Sequence, residues 1–292
     1  MSLLFLMRGL PASGKTTSAE KQVKANQNVV RLNRDLLREM LHFNVYTPEK
    51  EKITKNVLYK IADVLLVSGV DVIVDDTNLN PKTVEEWKQI SAKHNTHLSF
   101  VDMETDVETC IQRDSERGDK SVGVNVIRNM AMEYLDYMKG EKVVICDIDG
   151  TIADLKHRLE HIAKEPKDFE TFYSLVSGDT PRIDIIRQVQ NLCKETGAKL
   201  IFVTGRPERT RDATTRWLYT YIMPEDSKMK DVILFMRADG DHRQDVDVKS
   251  EIYNRYLKEL DIIKVFDDRP CVIKMWKSKL LEVVDVGDGI DF

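Results

Sequence analysis

The sequence predicts an α/β fold in two parts, and three observations carry that prediction. Short apolar runs alternate with segments of helical period across residues 1–140, the pattern of a parallel sheet with helices on both faces. After Gly140-Glu141 the alternation restarts with the buried-strand run Lys142–Cys146. In both parts, residues with chemical capacity cluster where apolar runs end, the edge at which open α/β sheets gather their sites. The expected domains are 1–140 and 141–292, and 292 residues suffice to bury two cores.

The elements follow in order. Ser2–Met7 is an apolar run of strand length, Gly9–Thr16 is a glycine-bounded loop, and Thr17–Ala25 begins a helix. Asn28–Leu32 is a second strand, followed by helical Arg34–His42 and Lys50–Val67. Val70–Asp75 is a strand, Pro81–His94 a helix, His97–Asp102 a strand and Asp106–Glu116 a helix. The polar loop Gly118–Gly123 precedes a last helix, Val124–Met138. In the second part Leu200–Val203 and Ile262–Phe266 are apolar strands, and Lys249 opens a helix after the polar stretch Arg237–Val248. Residues 155–182, with Phe169, Phe172 and Tyr173, break the rhythm and are expected to form a small cap. Those rings either stack nucleic-acid bases or fill the cap's own core.

Composition narrows the class. Hydrophobic content of 42% with 32% charged residues describes a globular protein, and no apolar run approaches the roughly 18 residues of a membrane span. The apolar stretch Leu3–Met7 starts too early for a signal peptide, so the cytoplasm is expected. Cys110, Cys146, Cys193 and Cys271 are widely spaced and suit neither a zinc site nor a disulfide framework. His157 and His161 share a helical spacing without a third ligand, which reads as a solvated face. The net charge is −5, split as −1 over residues 1–140 and −4 over the rest. That balance excludes broad wrapping of nucleic acid and leaves room for a local grip at a few phosphates.

The segment Gly9-Leu-Pro-Ala-Ser-Gly14-Lys15-Thr16, between a strand and a helix, has the spacing of a P-loop. Gly9, Ser13, Gly14 and the start of the helix at Thr17 turn backbone N–H groups toward phosphate oxygens, Lys15 reaches the β- and γ-phosphates, and Thr16 offers a hydroxyl to Mg²⁺. Asp35, just after the second strand, is either a general base or the N-cap of its helix. Arg38 shares its face and either holds an acceptor phosphate or is solvated. Asp75, Asp76 and Thr77 end the third strand, near the place where P-loop folds carry a Mg²⁺-associated carboxylate. Arg113 and Arg117, four residues apart, precede the polar loop as lid arginines aimed at a transferring phosphoryl group.

The second part carries Asp147-Ile-Asp149-Gly150-Thr151 at a strand end. Asp147 is placed to attack phosphorus as a carboxylate nucleophile, and Asp149 to protonate the leaving oxygen and then activate water. Thr204, Gly205 and Arg206 end the next strand and suit phosphate oxygens. Lys249 is expected to neutralise charge on Asp147 and the phosphoryl group, and Asp267 and Asp268 to hold Mg²⁺. Arg237 and Arg243 are weaker candidates for substrate phosphate. The expectation is that four strand ends deliver nucleophile, hydroxyl, cation and metal ligands to one crevice.

At these residues the chain resembles the bacteriophage-type polynucleotide 5′-kinase/3′-phosphatase family, a P-loop kinase fused to a haloacid-dehalogenase-like phosphatase. The likeness spans Gly9–Thr16, Asn33-Arg34-Asp35 with Arg38, Asp76–Pro81, Arg113 with Arg117-Gly118, Asp147–Thr151, Gly205-Arg206, Lys249 and Asp267–Arg269. It implies a P-loop sheet followed by a Rossmannoid domain with a cap, ATP as donor and Mg²⁺ as cofactor. It also implies Asp35 as general base, Arg38 on the phosphate beside a 5′-OH, Asp76 and Thr77 at the acceptor, and Arg113 and Arg117 closing from the lid. In the second half it implies Asp147 as nucleophile, Asp149 as acid/base, and Arg206, Arg237, Asp245 and Lys249 assisting. Asp268 and the main chain of Asp149 would join Asp147 at the metal. RNA and DNA ends, a homotetramer, and repair of cleaved RNA ahead of an RNA ligase belong to the same resemblance. Two departures stand out: Ala12 replaces a common glycine, with little expected effect, and Asp245-Val246-Asp247 spaces its acids differently. A small-metabolite kinase/phosphatase and a nucleotide-gated RNA-binding scaffold are the rival readings.

Overall fold

The computed structural model describes residues 2–163, 165–223 and 231–287. They fall into two compact units, Met1–Leu135 and Asp136–Phe292. In chain order the first unit comprises β1 (Leu3–Arg8), α1 (Lys15–Ala25), β2 (Val29–Leu32), α2 (Arg34–His42), α3 (Pro48–Val67), β3 (Asp71–Val74), α4 (Pro81–Lys93), β4 (His97–Asp102), α5 (Val107–Ser115) and α6 (Val124–Tyr134). Its strands form a parallel sheet in the order β2-β3-β1-β4.

Period-two alternation explains why both faces of that sheet are covered. Leu4 and Leu6 of β1 with Val72 and Val74 of β3 meet Leu58, Ala62 and Leu66 of α3 and Trp87 of α4. Met7 and Ile73 point the other way and meet Ala19 of α1. The α/β expectation with helices on both faces is borne out. The last helix ends at Tyr134 and not at Met138, because Asp136 and Met138 adopt left-handed φ of 52° and 65°.

The second unit comprises β5 (Lys142–Cys146), β6 (Ala153–Asp154), α7 (Phe169–Ser174), β7 (Thr180–Pro181), α8 (Ile183–Thr196), β8 (Lys199–Pro207), α9 (Arg211–Tyr221), β9 (Ile233–Arg237), α10 (Asp245–Ile252), β10 (Asp261–Asp267), α11 (Pro270–Ser278) and β11 (Val283–Asp285). Five strands make a parallel sheet in the order β11-β10-β5-β8-β9. Val144 and Cys146 face Ile186 and Val189 of α8 and Trp217 and Leu218 of α9, while Val143, Ile145 and Val265 alternate to the opposite face. The short antiparallel pair β6–β7 closes an excursion between them that contains α7. Lys249 lies inside α10 and does not open it: the helix starts at Asp245, whose charge, with that of Asp247, suits the first turn. The cation is thus delivered by a helix, and Asp147, Thr204 and Asp267 by strands or their immediate ends.

Candidate active sites

In the first unit β1 runs into the glycine-bounded loop and α1 leaves it. The Lys15 ammonium folds back over that loop, donating to the carbonyls of Gly9 at 2.9 Å and Leu10 at 2.6 Å, with Ser13 Oγ at 3.4 Å. Burial lowers its pKa to about 8. Thr16 donates its hydroxyl to Asp75 Oδ2 at 2.9 Å, an atom that Arg31 also meets at 2.9 Å. Gly9 N–H donates to the Thr77 carbonyl at 3.1 Å, so Thr77 anchors the loop entrance by its backbone. Thr17 is exposed on the first turn of α1. Ala12 sits at φ 59°, where a β-carbon costs about 1 kcal/mol; the missing glycine matters more than the sequence suggests.

The acceptor candidates lie on α2. Asn33 caps that helix by accepting from Leu36 N–H, which leaves Asp35 uncapped and exposed, paired with Arg38 at 2.7 Å. Glu51 of α3 takes Arg38 at 2.8 Å and Arg34 at 3.3 Å. Asp76 is occupied with Arg34, accepting from its backbone at 2.9 Å and its Nε at 2.8 Å. Arg113 and Arg117 are exposed on and just beyond α5. Between them Asp114 is buried and accepts from Ser121 Oγ at 2.7 Å and from the backbone of Val122 and Gly123 at 3.0 and 2.9 Å. It closes the polar loop, and those bonds outweigh its burial to hold its pKa down.

In the second unit the sheet brings Asp147, Asp267 and Asp268 together, with one carboxylate oxygen from each lying within 4.8 Å of the others. Lys249 Nζ stands 2.8 Å from Asp147, 3.0 Å from Asp267 and 3.5 Å from Asp245. Thr151 Oγ1 is 3.0 Å from Asp268 and 3.3 Å from Asp147. Two glycines are required by close approach: a β-carbon at Gly150 would overlap the Asp268 carboxylate, and one at Gly205 the Asp245 carboxylate. Burial pushes Asp147 well above the usual carboxylate range; Lys249 opposes this, and the charges of Asp267 and Asp268 add to it. Burial likewise raises Asp268. Three buried carboxylates against one ammonium is an excess of negative charge, and hard oxygen donors so arranged fit a divalent cation.

Asp149 has the opposite environment. Its Oδ1 accepts from Arg158 Nη2 at 2.6 Å and from Arg206 Nη2 and Nε at 2.6 and 2.9 Å. Burial would raise its pKa, but the two guanidinium groups overcome that and lower it. Its side chain therefore stands apart from the acidic cluster. Asp179 fixes both arginines, meeting Arg158 Nε at 2.7 Å and Arg206 Nη2 at 2.5 Å. Arg158 and Asp179 have no counterpart in the sequence reading. The segment 155–182 reads as an irregular cap, and an arginine or aspartate there carries no periodic signal.

Thr204 is buried within β8, which runs on through Gly205 and Arg206 to Pro207 instead of ending before them, and it accepts from the Arg206 N–H at 3.3 Å. Arg237 is engaged with the Gly205 and Arg243 carbonyls at 2.9 and 2.6 Å and with Asp245 at 3.3 Å, bracing the loop that begins α10. Arg243 is exposed and committed to Asp241 and Glu251, so the structure does not bring it to the cluster. None of the four cysteines forms a disulfide, and no described helix is long and apolar enough to cross a membrane.

Fold and geometry define an α/β protein that joins a P-loop unit to an aspartate-centred Rossmannoid unit. A family model described as the polynucleotide kinase PNKP phosphatase domain matches residues 141–292, and one described as an AAA domain matches residues 4–140. The chain belongs to the PNKP phosphatase-domain family. The first match brings metal dependence and the second nucleotide use. The chain is 29% identical to a protein of Autographa californica nuclear polyhedrosis virus named for bifunctional polynucleotide kinase/RNA ligase, over 96% of this chain and 42% of the viral one. It is 27% identical to an L-seryl-tRNA(Sec) kinase of Methanococcus maripaludis, over 45% of this chain and 52% of that protein. The chain thus spans about half the length, or less, of these curated relatives. A solved structure of the Pnkp1/Rnl/Hen1 RNA repair complex aligns over 100% of this chain and 97% of that one, at 24% identity and a TM-score of 0.43.

Proposed function

We propose that the chain is a bifunctional end-processing enzyme. It phosphorylates 5′-OH ends of RNA or DNA with ATP and hydrolyses 3′-phosphate ends through an aspartyl-phosphate on Asp147. The observation that carries this reading is the contrast between two carboxylates two residues apart. Asp147 is held by Lys249 in an acidic cluster, and Asp149 by two arginines. That contrast separates a nucleophile from an acid/base.

A Mg²⁺ ion, held by Asp147, Asp268 and the main chain of Asp149, would offset the acidic cluster and favour ionised Asp147. Asp268 suits this better than Asp267, since both Asp267 oxygens have described partners and Asp268 Oδ2 has none. The ionised Asp147 attacks phosphorus, and Lys249 stabilises the charge that develops there. Arg158 and Arg206, both fixed by Asp179, orient the Asp149 carboxylate. Asp149, two residues from the nucleophile, donates a proton to the leaving ribose oxygen and then activates water.

In the first unit, Asp35 acts as base on the acceptor hydroxyl and Arg38, oriented by Glu51, holds the adjoining phosphate. Lys15 is released from the Gly9 and Leu10 carbonyls onto the ATP phosphates, with Thr16 and Asp75 beside the nucleotide's Mg²⁺. Arg113 and Arg117 approach from the loop that Asp114 closes. The rival acceptor is a small metabolite. Phosphate transfer from labelled ATP to a 5′-OH oligonucleotide, measured against free nucleosides and sugars, decides between them. Preference for the oligonucleotide is expected; preference for a nucleoside or sugar would replace this reading.

A further inference from the structure

The cap carries an arrangement that phosphoryl chemistry does not need. Helix α7 presents Phe169 and Tyr173 as a near-parallel pair, with centroids 6.2 Å apart and planes at 21°. Tyr173 meets Phe172 edge-on at 5.1 Å, and the Phe172 ring lies 4.2 Å from the Arg158 guanidinium. Arg158 is one of the two arginines on Asp149. A continuous series of contacts thus leads from the acid/base carboxylate to the surface, where Phe169 is 47% exposed. Arg209 stands 5.6 Å from the Tyr173 centroid, steadied by Glu170 at 3.3 Å and Asp239 at 3.7 Å. The half-buried Tyr173 lies within the fields of Asp149, Arg158, Arg237 and Asp245, and its hydroxyl donates to no described residue.

A cap core alone does not account for this. Phe172 and Val176 are buried to 5% and 1% exposure and fill that role, whereas Phe169 is left in solvent. An exposed ring paired with a second ring that carries a guanidinium, close to a phosphate-handling pocket, is the combination that stacks nucleobases.

We propose that Phe169, Tyr173 and Arg209 form a nucleobase subsite that takes the base of the 3′-terminal nucleoside while its phosphate occupies the Asp147 pocket. The inference rests on reading the second unit as a polynucleotide 3′-phosphatase. The base lies on the exposed ring of Phe169 and is not inserted between the pair. Insertion takes two contacts of about 3.5 Å each, more than the 6.2 Å separation. Because every base offers a π-face, the subsite selects base-bearing ends over other phosphomonoesters without reading sequence.

The test uses the full chain and an oligoribonucleotide 3′-phosphate, with the same strand ending in an abasic residue as comparator. Wild type is expected to favour the base-bearing end by about 5- to 150-fold in kcat/KM, mostly through KM, the range one stacked base contributes. Phe169→Ala is expected to lose most of that preference and Tyr173→Phe to keep it. Arg209→Gln should reduce it about 2- to 5-fold. Equal treatment of the two ends by wild type would overturn the subsite, as would a Phe169→Ala effect of the same size on both. Release of phosphate from glycerol phosphate with no action on either strand would instead remove the polynucleotide reading, and the subsite with it.

Discussion

Replacing Lys249 with methionine keeps a chain of similar length and removes the ammonium that meets Asp147 at 2.8 Å, Asp267 at 3.0 Å and Asp245 at 3.5 Å. Lys249, Asp147 and Asp267 are buried and Asp245 is half-buried, so the variant leaves carboxylates facing one another without the lysine. Breaking a buried ion pair from one side costs about 3–5 kcal/mol. For a unit of this size each kcal/mol moves the midpoint by about 2–4 °C, so the second-unit transition should fall by about 6–20 °C. Calorimetry of the full chain in a chelating buffer reads this directly, with the first-unit transition as internal reference. Adding Mg²⁺ should restore more stability to the variant than it gives the wild type; a site filled at a hundred times its dissociation constant contributes about 2.7 kcal/mol. Acid should act in the same direction. Asp147 binds its proton more tightly folded than unfolded, so its cost to stability is present at neutral pH and relieved as pH falls. A second-unit transition unmoved in chelator would refute the view that Lys249 balances the cluster.

Three other outcomes follow. Ala12→Gly should raise the first-unit transition by about 1 kcal/mol, because the loop already holds φ 59° there; a fall in midpoint would contradict the strain. Lys15 has a pKa lowered to about 8 by burial, so it is charged below that pH and progressively neutral above it. The KM for ATP should therefore climb by up to about tenfold per pH unit beyond pH 8, and a flat KM from pH 7 to 9.5 would speak against its role. Asp114→Ala removes the acceptor of Ser121, Val122 and Gly123, and should speed amide exchange in residues 118–123 and slow the kinase while sparing the phosphatase.

Much of the fold was legible because strands end in chemistry. Arg34–His42, His97–Asp102 and Lys142–Cys146 stand where the pattern puts them, since each is bounded by a sharp change in polarity. What stayed hidden depends on packing. β11 is three residues long and lies at a sheet edge, where alternation is too brief to register. The polar segment before Lys249 predicts a helix start at that residue, yet that polarity belongs partly to the helix's own first turn. The Asp147, Asp267 and Asp268 grouping followed from strand order. Arg158 and Asp179 could not be foreseen, because their value lies in a two-arginine clamp on Asp149 that spans the cap and β8. Likewise Asn33 and not Asp35 caps α2, an alternative that two adjacent cap-competent residues leave open.

The most direct measurement takes one RNA with a 5′-OH and a 3′-phosphate, ATP and Mg²⁺, and reads both termini after exposure to wild type, Lys15→Ala and Asp147→Asn. Two separate phosphate sites predict that wild type converts both ends, that Lys15→Ala leaves the 5′ end untouched while clearing the 3′ end, and that Asp147→Asn does the reverse. Loss of both conversions in either variant, with its fold intact, would contradict the account.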